Sequence, residues 1–240
     1  NADERRSPAS ITKIMTMALA LEMCEDPANT YVTAPSYIWN EFEGISISHC
    51  DIQRGETLTM QDLLYGMALQ SANEAANIVA DYLGNGSISD FVELMNQKAQ
   101  EIGAVNTHFT NPHGLNDTNH YTTPRDMALI ARAAFQNDTV KTVASTRTYT
   151  LPPTIKNPSG LTVTMGHKML NPSDSRYYPG VIGGKTGYTS KAGNTLVTAV
   201  EKDGVRLIAV VMKSKSTHYT DTKALLDYGI HPPTMYFPLI

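Results

Sequence analysis

Asn194–Met212 reads NTLVTAVEKDGVRLIAVVM, two runs rich in β-branched residues, Asn194–Val200 and Val205–Met212, joined by the turn EKDG. Such runs around a short polar turn predict an antiparallel hairpin. Outward toward the N-terminus, GGKTGYT (Gly183–Thr189) lies just before the hairpin, and TRTYTL (Thr146–Leu151) and LTVTMG (Leu161–Gly166) are further strand-like runs. Toward the C-terminus a helix is predicted over roughly Thr217–Tyr228, ending at Gly229 because the following HPPTMYFPLI is too rich in proline to continue it. The last third of the chain is therefore predicted to build a sheet closed by a helix.

The first part of the chain has helical periodicity instead. Ile11, Ile14, Met15, Ala18, Leu19 and Met23 recur at spacings of three and four, which predicts a helix from near Ser10 to before Asp26-Pro27. Three capping boxes announce later helices: Thr59 with Asp62, Ser87 with Asp90, and Thr123 with Asp126, the last supported by Pro124 at the first helical position. In QSANEAANIVADYLG (Gln70–Gly84), Ser71 and Asn73 interrupt one helix before another begins. Residues 57 to 137 read as all-helical, whereas Tyr31–Glu56 is polar and turn-rich and its structure is left open. The expectation is an α/β (α+β) fold in one domain, 1–240. Its antiparallel sheet lobe comes from the helix at about 10–25 and from about 140–230, and its helical lobe from about 57–137.

Bulk composition removes several function classes. With 240 residues, 41% of them hydrophobic, the chain can bury a core without metal or disulfide support. Nineteen basic and 23 acidic residues leave a net charge of −4 without basic runs, so no footprint for nucleic acid is present. No window approaches the ~20 apolar residues of a membrane span, and NADERRSPAS lacks a signal-like apolar core. Cys24 and Cys50 fit neither a disulfide framework nor a zinc ribbon, and Cys24 reads as a core residue, with half of a disulfide to Cys50 as the alternative.

The chemistry begins at SPASITK (Ser7–Lys13), where Ser10 and Lys13 share a helix face one turn apart. A serine hydroxyl needs a base to take its proton, and a lysine can be that base when its surroundings hold it neutral. By itself this spacing is weak, since about one Ser-x-x-Lys is expected by chance at this length. Its companions are SAN (Ser71–Asn73) and KTG (Lys185–Gly187), each in the order of the trio found in serine penicillin-binding proteins and class A β-lactamases.

The likeness extends over nearly the whole chain. RRSPASITKIMTMALALE, LLYGMALQSANEAANIVADYLG, NTHFTNPHGL, TTPRDMALIA and GGKTGYTSKAGNTLV resemble the low-molecular-mass D-alanyl-D-alanine carboxypeptidases of peptidase family S11. The resemblance implies a β-lactamase/transpeptidase-like fold. It also implies an extracytoplasmic enzyme of the cell envelope that removes the terminal D-alanine of peptidoglycan stem pentapeptides through an acyl-enzyme, uses no metal or other cofactor, and is acylated by β-lactams. Carried over, Ser10 is the nucleophile and Lys13 its base, Ser71 relays protons, and Asn73 holds a substrate amide. Lys185 keeps Lys13 neutral and, with Thr186, binds the substrate carboxylate. Thr189 assists there, His113 in PHGL lines the site, and the backbone amides of Ser10 and Tyr188 form the oxyanion hole. Gly187 is expected to be small because substrate must lie along its strand.

The chain also departs from the resemblance. Only nine residues precede Ser10 where about thirty ordinarily form a strand pair, which predicts missing N-terminal strands and an incomplete sheet edge. MGHKML (Met165–Leu170) carries no arginine where some members grip the carboxylate, so His167 or Lys168 is expected to substitute. The family's C-terminal β-domain and amphipathic anchor are not found after Ile240, so membrane attachment would need segments absent here. Rival readings are a class A-like β-lactamase, which needs a Glu-x-x-x-Asn loop not found in NPHGLNDTNHYTTPRD, a non-catalytic peptidoglycan-binding module, and a zinc peptidase, for which the histidines lack the spacing.

Overall fold

The structure, a computed structural model, describes residues 1–230, so the stretch expected to follow the last helix lies outside the described residues. The hairpin is present. Strand β6 (Gly193–Lys202) and β7 (Val205–Ser214) pair antiparallel, and Val181–Thr189 forms β5 on the other side of β6. KTG therefore lies within a strand of the sheet, with Lys185 opposite Val197 and Gly187 opposite Thr195. Central β6 is buried from Thr195 to Val200. Its Val197 and Ala199 join the main core, whereas Val200 packs with Met169, Tyr178, Ala209 and Leu226 in a second cluster. Both faces are covered, which is why the strand reads as a continuous apolar run.

The described residues give this sheet three strands in the order β5-β6-β7, in keeping with the expected incomplete edge. Two smaller antiparallel pairs stand apart from it: β1 (Tyr31–Thr33) with β2 (Thr57–Thr59), and β3 (Thr148–Leu151) with β4 (Leu161–Thr164). Helix α1 (Lys13–Met23) runs through the main core and is preceded by a 3₁₀ turn, Ala9–Thr12, so the predicted helix starts in the tighter form. Both Cys24 and Cys50 are buried free thiols.

Residues 57–137 are not helical throughout, which corrects the all-helical expectation. The region opens on β2, carries α2 (Met60–Tyr65), α3 (Asn73–Leu83), α4 (Ile88–Glu101) and α5 (Pro124–Ala134), and leaves 102–123 as an irregular loop. That loop has no periodic apolar pattern, because what organises it is contact with distant residues. The Thr59–Asp62 box is complete, each backbone N–H donating to the other's side chain at 3.1 Å. The other two boxes are half-formed. Asp90 N–H reaches Ser87 Oγ and Asp126 N–H reaches Thr123 Oγ1, while the Asp126 carboxylate instead accepts from Asn106 N–H at 2.7 Å and Thr107 Oγ1 at 2.9 Å. Thr59→Ala is expected to cost about 1 kcal/mol, read as a lower urea midpoint at unchanged slope.

Helix α6 (Asp138–Ser145) precedes β3, and α7 (His218–Ile230) packs on β7. Gly229 was expected to end the last helix, yet α7 runs through it. A Cβ at this position would meet Leu207 Cδ1 at 2.7 Å, so glycine here permits close packing of helix on strand rather than a turn.

Candidate active site

Ser10 sits on the 3₁₀ turn, in which residues three apart eclipse each other, and this brings Lys13 Nζ to 3.1 Å from Ser10 Oγ. The turn is seated by contacts from distant parts of the chain. Thr195 Oγ1 donates to the Pro8 carbonyl at 2.9 Å, and Ala9 is held at φ +51°, a conformation non-glycine residues rarely adopt. Gly114 lies against the same turn: a Cβ there would fall 1.9 Å from Ala9 O and 3.0 Å from Ser10 N. Gly187 abuts it from the sheet, where a Cβ would meet Thr195 Oγ1 at 2.5 Å and Ser10 N at 2.7 Å. The need for glycine at 187 thus comes from the turn that carries Ser10 as well as from any substrate.

Lys13 has no exposed surface. Its Nζ lies 2.7 Å from Asn73 Oδ1 and 2.7 Å from the His113 carbonyl, in addition to Ser10 Oγ. A neutral amine has two N–H groups and one lone pair. The two carbonyl oxygens can only accept, so they take both N–H groups and leave the lone pair for the Ser10 hydroxyl proton. Burial holds the lysine well below its ordinary pKa, the charge of Lys185 adds to this, and Glu74 opposes it.

Across the site, Lys185 is also buried and donates to Ser71 Oγ and to the Thr186 carbonyl, each at 3.0 Å. Burial pushes its pKa down to about 7. Ser71 ends a π-helical turn, Gly66–Gln70, at φ +61°, and the chain then restarts as α3 at Asn73. The break that Ser71 and Asn73 were expected to make is this change of helix type, and it aims one residue at each lysine.

The other expected residues divide. The His113 ring is buried and accepts Leu115 N–H at Nδ1 (3.1 Å), so it is the backbone carbonyl of His113 that faces Lys13. Thr189 Oγ1 donates to Asn116 Oδ1 at 2.9 Å, and Asn116 also takes the Ser7 hydroxyl at 3.1 Å. Tyr188 is exposed beside this junction. His167 does not substitute for an arginine. Its Nε2 lies 2.8 Å from Thr198 Oγ1, and burial lowers its pKa to about 4, so it is uncharged near neutral pH. Lys168 instead lines a cleft of about 250 Å³ together with Arg147. The cleft adjoins the KTG strand, since Met165 and His167 line it and a Cβ on the intervening Gly166 would touch Thr186 Oγ1 at 3.5 Å.

Several residues were not singled out from the sequence. Glu74 is buried with one carboxylate oxygen on Cys50 N–H at 2.6 Å and the other without a hydrogen bond among the described residues, and burial raises its pKa to about 7. His120 Nδ1 accepts Thr110 N–H, so the Nε2 proton faces Thr12 Oγ1 at 2.9 Å; this buried, neutral histidine ties the 102–123 loop to the Ala9–Thr12 turn. A larger cavity, about 880 Å³ between α5, β7 and α7, contains none of these residues. Among the described residues no cluster of three or more His, Cys, Asp or Glu is placed to hold a metal ion.

Comparison with known proteins finds relatives over nearly the whole chain. A family profile described as D-alanyl-D-alanine carboxypeptidase matches residues 1–216. D-alanyl-D-alanine carboxypeptidase DacF of Bacillus subtilis (strain 168) is 34% identical over 239 residues, covering 97% of this chain and 59% of that protein. The D-alanyl-D-alanine carboxypeptidase of Streptomyces sp. (strain K15) is 33% identical over 235 residues, covering 95% of this chain and 80% of its own length. A structure of the Streptomyces K15 DD-transpeptidase, its S216A mutant, superposes with a TM-score of 0.86 at 32% identity, covering 95% of this chain and 90% of that one. The chain thus spans about six tenths of the Bacillus relative and shares the fold of the Streptomyces enzyme.

Proposed function

The chain belongs to the D-alanyl-D-alanine carboxypeptidase family, and on that premise we propose that it is a serine D,D-carboxypeptidase acting on peptidoglycan stem peptides. In this reading it works outside the cytoplasm at the cell envelope, removes the terminal D-alanine of a pentapeptide, and is acylated at the same serine by β-lactams. The observation that carries the reading is the environment of Lys13: a buried lysine whose two N–H groups are taken by carbonyls while its lone pair faces Ser10 Oγ.

The steps follow from that arrangement. Lys13 accepts the Ser10 proton as Oγ attacks the penultimate D-alanine carbonyl carbon. The oxyanion is stabilised by the N–H groups of Ser10 and Tyr188, and the amine of the departing D-alanine receives a proton through Lys13 or Ser71. Water then hydrolyses the ester. Lys185, with Thr186, faces the substrate carboxylate, and binding that anion keeps Lys185 protonated.

The cleft beside Thr186 supplies the remaining positive charge through Lys168 and Arg147, in place of the arginine missing from MGHKML. Arg147→Ala is expected to raise KM for a peptide with a free terminal carboxylate about fivefold, with kcat unchanged. An amidated or esterified analogue should show no such difference between the two proteins.

The β-lactamase reading lacks its deacylating acid. NPHGLNDTNHYTTPRD holds no glutamate; its Asp117 is exposed and accepts Asn119 N–H at 2.7 Å, and its Asp126 is buried and bound by Asn106 N–H and Thr107 Oγ1. The deciding experiment measures D-alanine release from a pentapeptide mimic alongside the lifetime of the penicillin adduct. Released D-alanine with a long-lived adduct supports the proposal; rapid drug hydrolysis without D-alanine release overturns it.

A further inference from the structure

Three polar side chains from separate segments converge on the elements that hold Lys13. Glu41 lies in the 3₁₀ turn Asn40–Phe42, within the polar stretch that shows no sequence pattern. Its Oε1 accepts a hydrogen bond from Asn77 Nδ2 and lies 3.5 Å from His113 Nε2. Asn77 is buried on α3, one turn beyond Asn73, and the buried His113 is in the irregular loop. Because His113 Nδ1 accepts Leu115 N–H, the ring proton is on Nε2 and points its positive end at the Glu41 carboxylate. The same turn grips the imidazole a second time, through the edge-to-face contact of Phe42 with His113 at 5.5 Å.

The turn is itself fixed from behind. Trp39 Nε1 donates to the Ile52 carbonyl at 2.8 Å, and Arg54 Nη2 donates to Asn40 Oδ1 at 3.1 Å. Glu41 is thus a rigidly presented acceptor joining α3 to the 110–115 loop. Those two elements supply Lys13 with its two carbonyl partners: α3 provides Asn73 Oδ1 and the loop provides the His113 carbonyl. No other carboxylate bridges Asn77 and His113 among the described residues.

We propose that Glu41 is a positioning residue for the acylation step, clasping Asn77 and His113 so that Asn73 Oδ1 and the His113 carbonyl hold the Lys13 amine with its lone pair on Ser10. It acts through the lysine and does not touch substrate. The proposal rests on the reading of Ser10 as the nucleophile. If the wild-type protein is not acylated at Ser10, that reading fails whatever Glu41 does.

The test uses stopped-flow acylation by a chromogenic β-lactam, resolved into the binding constant and the first-order acylation constant. Glu41→Met keeps the volume and removes the acceptor, and it is expected to lower the acylation constant about tenfold with the binding constant within about twofold. Glu41→Gln retains an acceptor oxygen and is expected to stay within about threefold of wild type. Because Glu41 and Asn77 act as one clasp, Glu41→Met combined with Asn77→Ala should lose little more than the worse single variant. Wild-type acylation in Glu41→Met, equal losses in the Met and Gln variants, or a loss confined to binding each overturns the proposal. Should Glu41→Met fail to fold, Asn77→Ala alone carries the same expectation of a slower acylation step with unchanged binding, and unchanged acylation there overturns it equally.

Discussion

Replacing Lys13 by methionine is expected to slow acylation of Ser10 by a β-lactam by about 10³-fold, within the range found for loss of a positioned general base. The side chain keeps its volume in a site with no exposed surface, so packing is changed little while the lone pair is lost. In the wild type the rate should rise with pH as Lys13 loses its proton, because the depressed pKa places the neutral, reactive form above that value. In Lys13→Met that limb should vanish. The shift has a counterpart in stability. Between the lowered folded pKa and the unfolded value near 10.4, the unfolded chain holds a proton that the folded chain has released, so stability rises with pH across this window and is flat below it. Lys185, lowered to about 7, contributes in the same direction from about 7 upward. Denaturation midpoints should therefore climb less steeply with pH in Lys13→Met within that window, by at most one proton's worth of slope. A full acylation rate in this variant would remove the lysine from the mechanism.

The second large effect belongs to a residue without functional groups. Gly114→Ala is expected to reduce acylation at least about 10²-fold, because its Cβ would be 1.9 Å from Ala9 O and 2.4 Å from Ala9 C, backbone atoms that cannot step aside without carrying Ser10 with them. Glycine 114 also has φ +95°, so conformational strain alone must be separated from collision. Gly103 provides the control. It has φ +83° but open space around its Cβ position, and Gly103→Ala should cost about 1 kcal/mol of stability with no change in acylation. Equal acylation by the two variants would show that Gly114 does not shape the turn carrying Ser10.

These residues also show where sequence legibility ended. The hairpin could be read because β6 and β7 are dense in β-branched residues around a short turn, and the Thr59 box because both of its bonds span three residues. Ser10 and Lys13 were legible as a spacing, and Ser71, Asn73 and Lys185 as a resemblance, and the structure joins them into two lysine-centred groups. The loop at 102–123 could not be read, since its order comes from the His113 carbonyl on Lys13 and from His120 on Thr12, 100 and 108 residues apart. Nor could Glu41, whose partners Asn77 and His113 lie far along the chain in stretches of different pattern. His167 was misplaced because residue type suggests a cation, while its burial beside Thr198 keeps the ring neutral. Gly229 was misplaced for a related reason: glycine after a helix usually ends it, but here Leu207 occupies the space a side chain would need.

The central claim is that Ser10 forms the covalent intermediate. Trypsin cuts after Arg6 and Lys13, so Ser7–Lys13 is released as the single peptide SPASITK containing Ser7 and Ser10. Brief exposure to penicillin, acid quench, digestion and fragmentation of that peptide should place the adduct mass on Ser10, with none recovered from Ser10→Ala. An adduct on another residue, or one that persists in Ser10→Ala, would contradict the account.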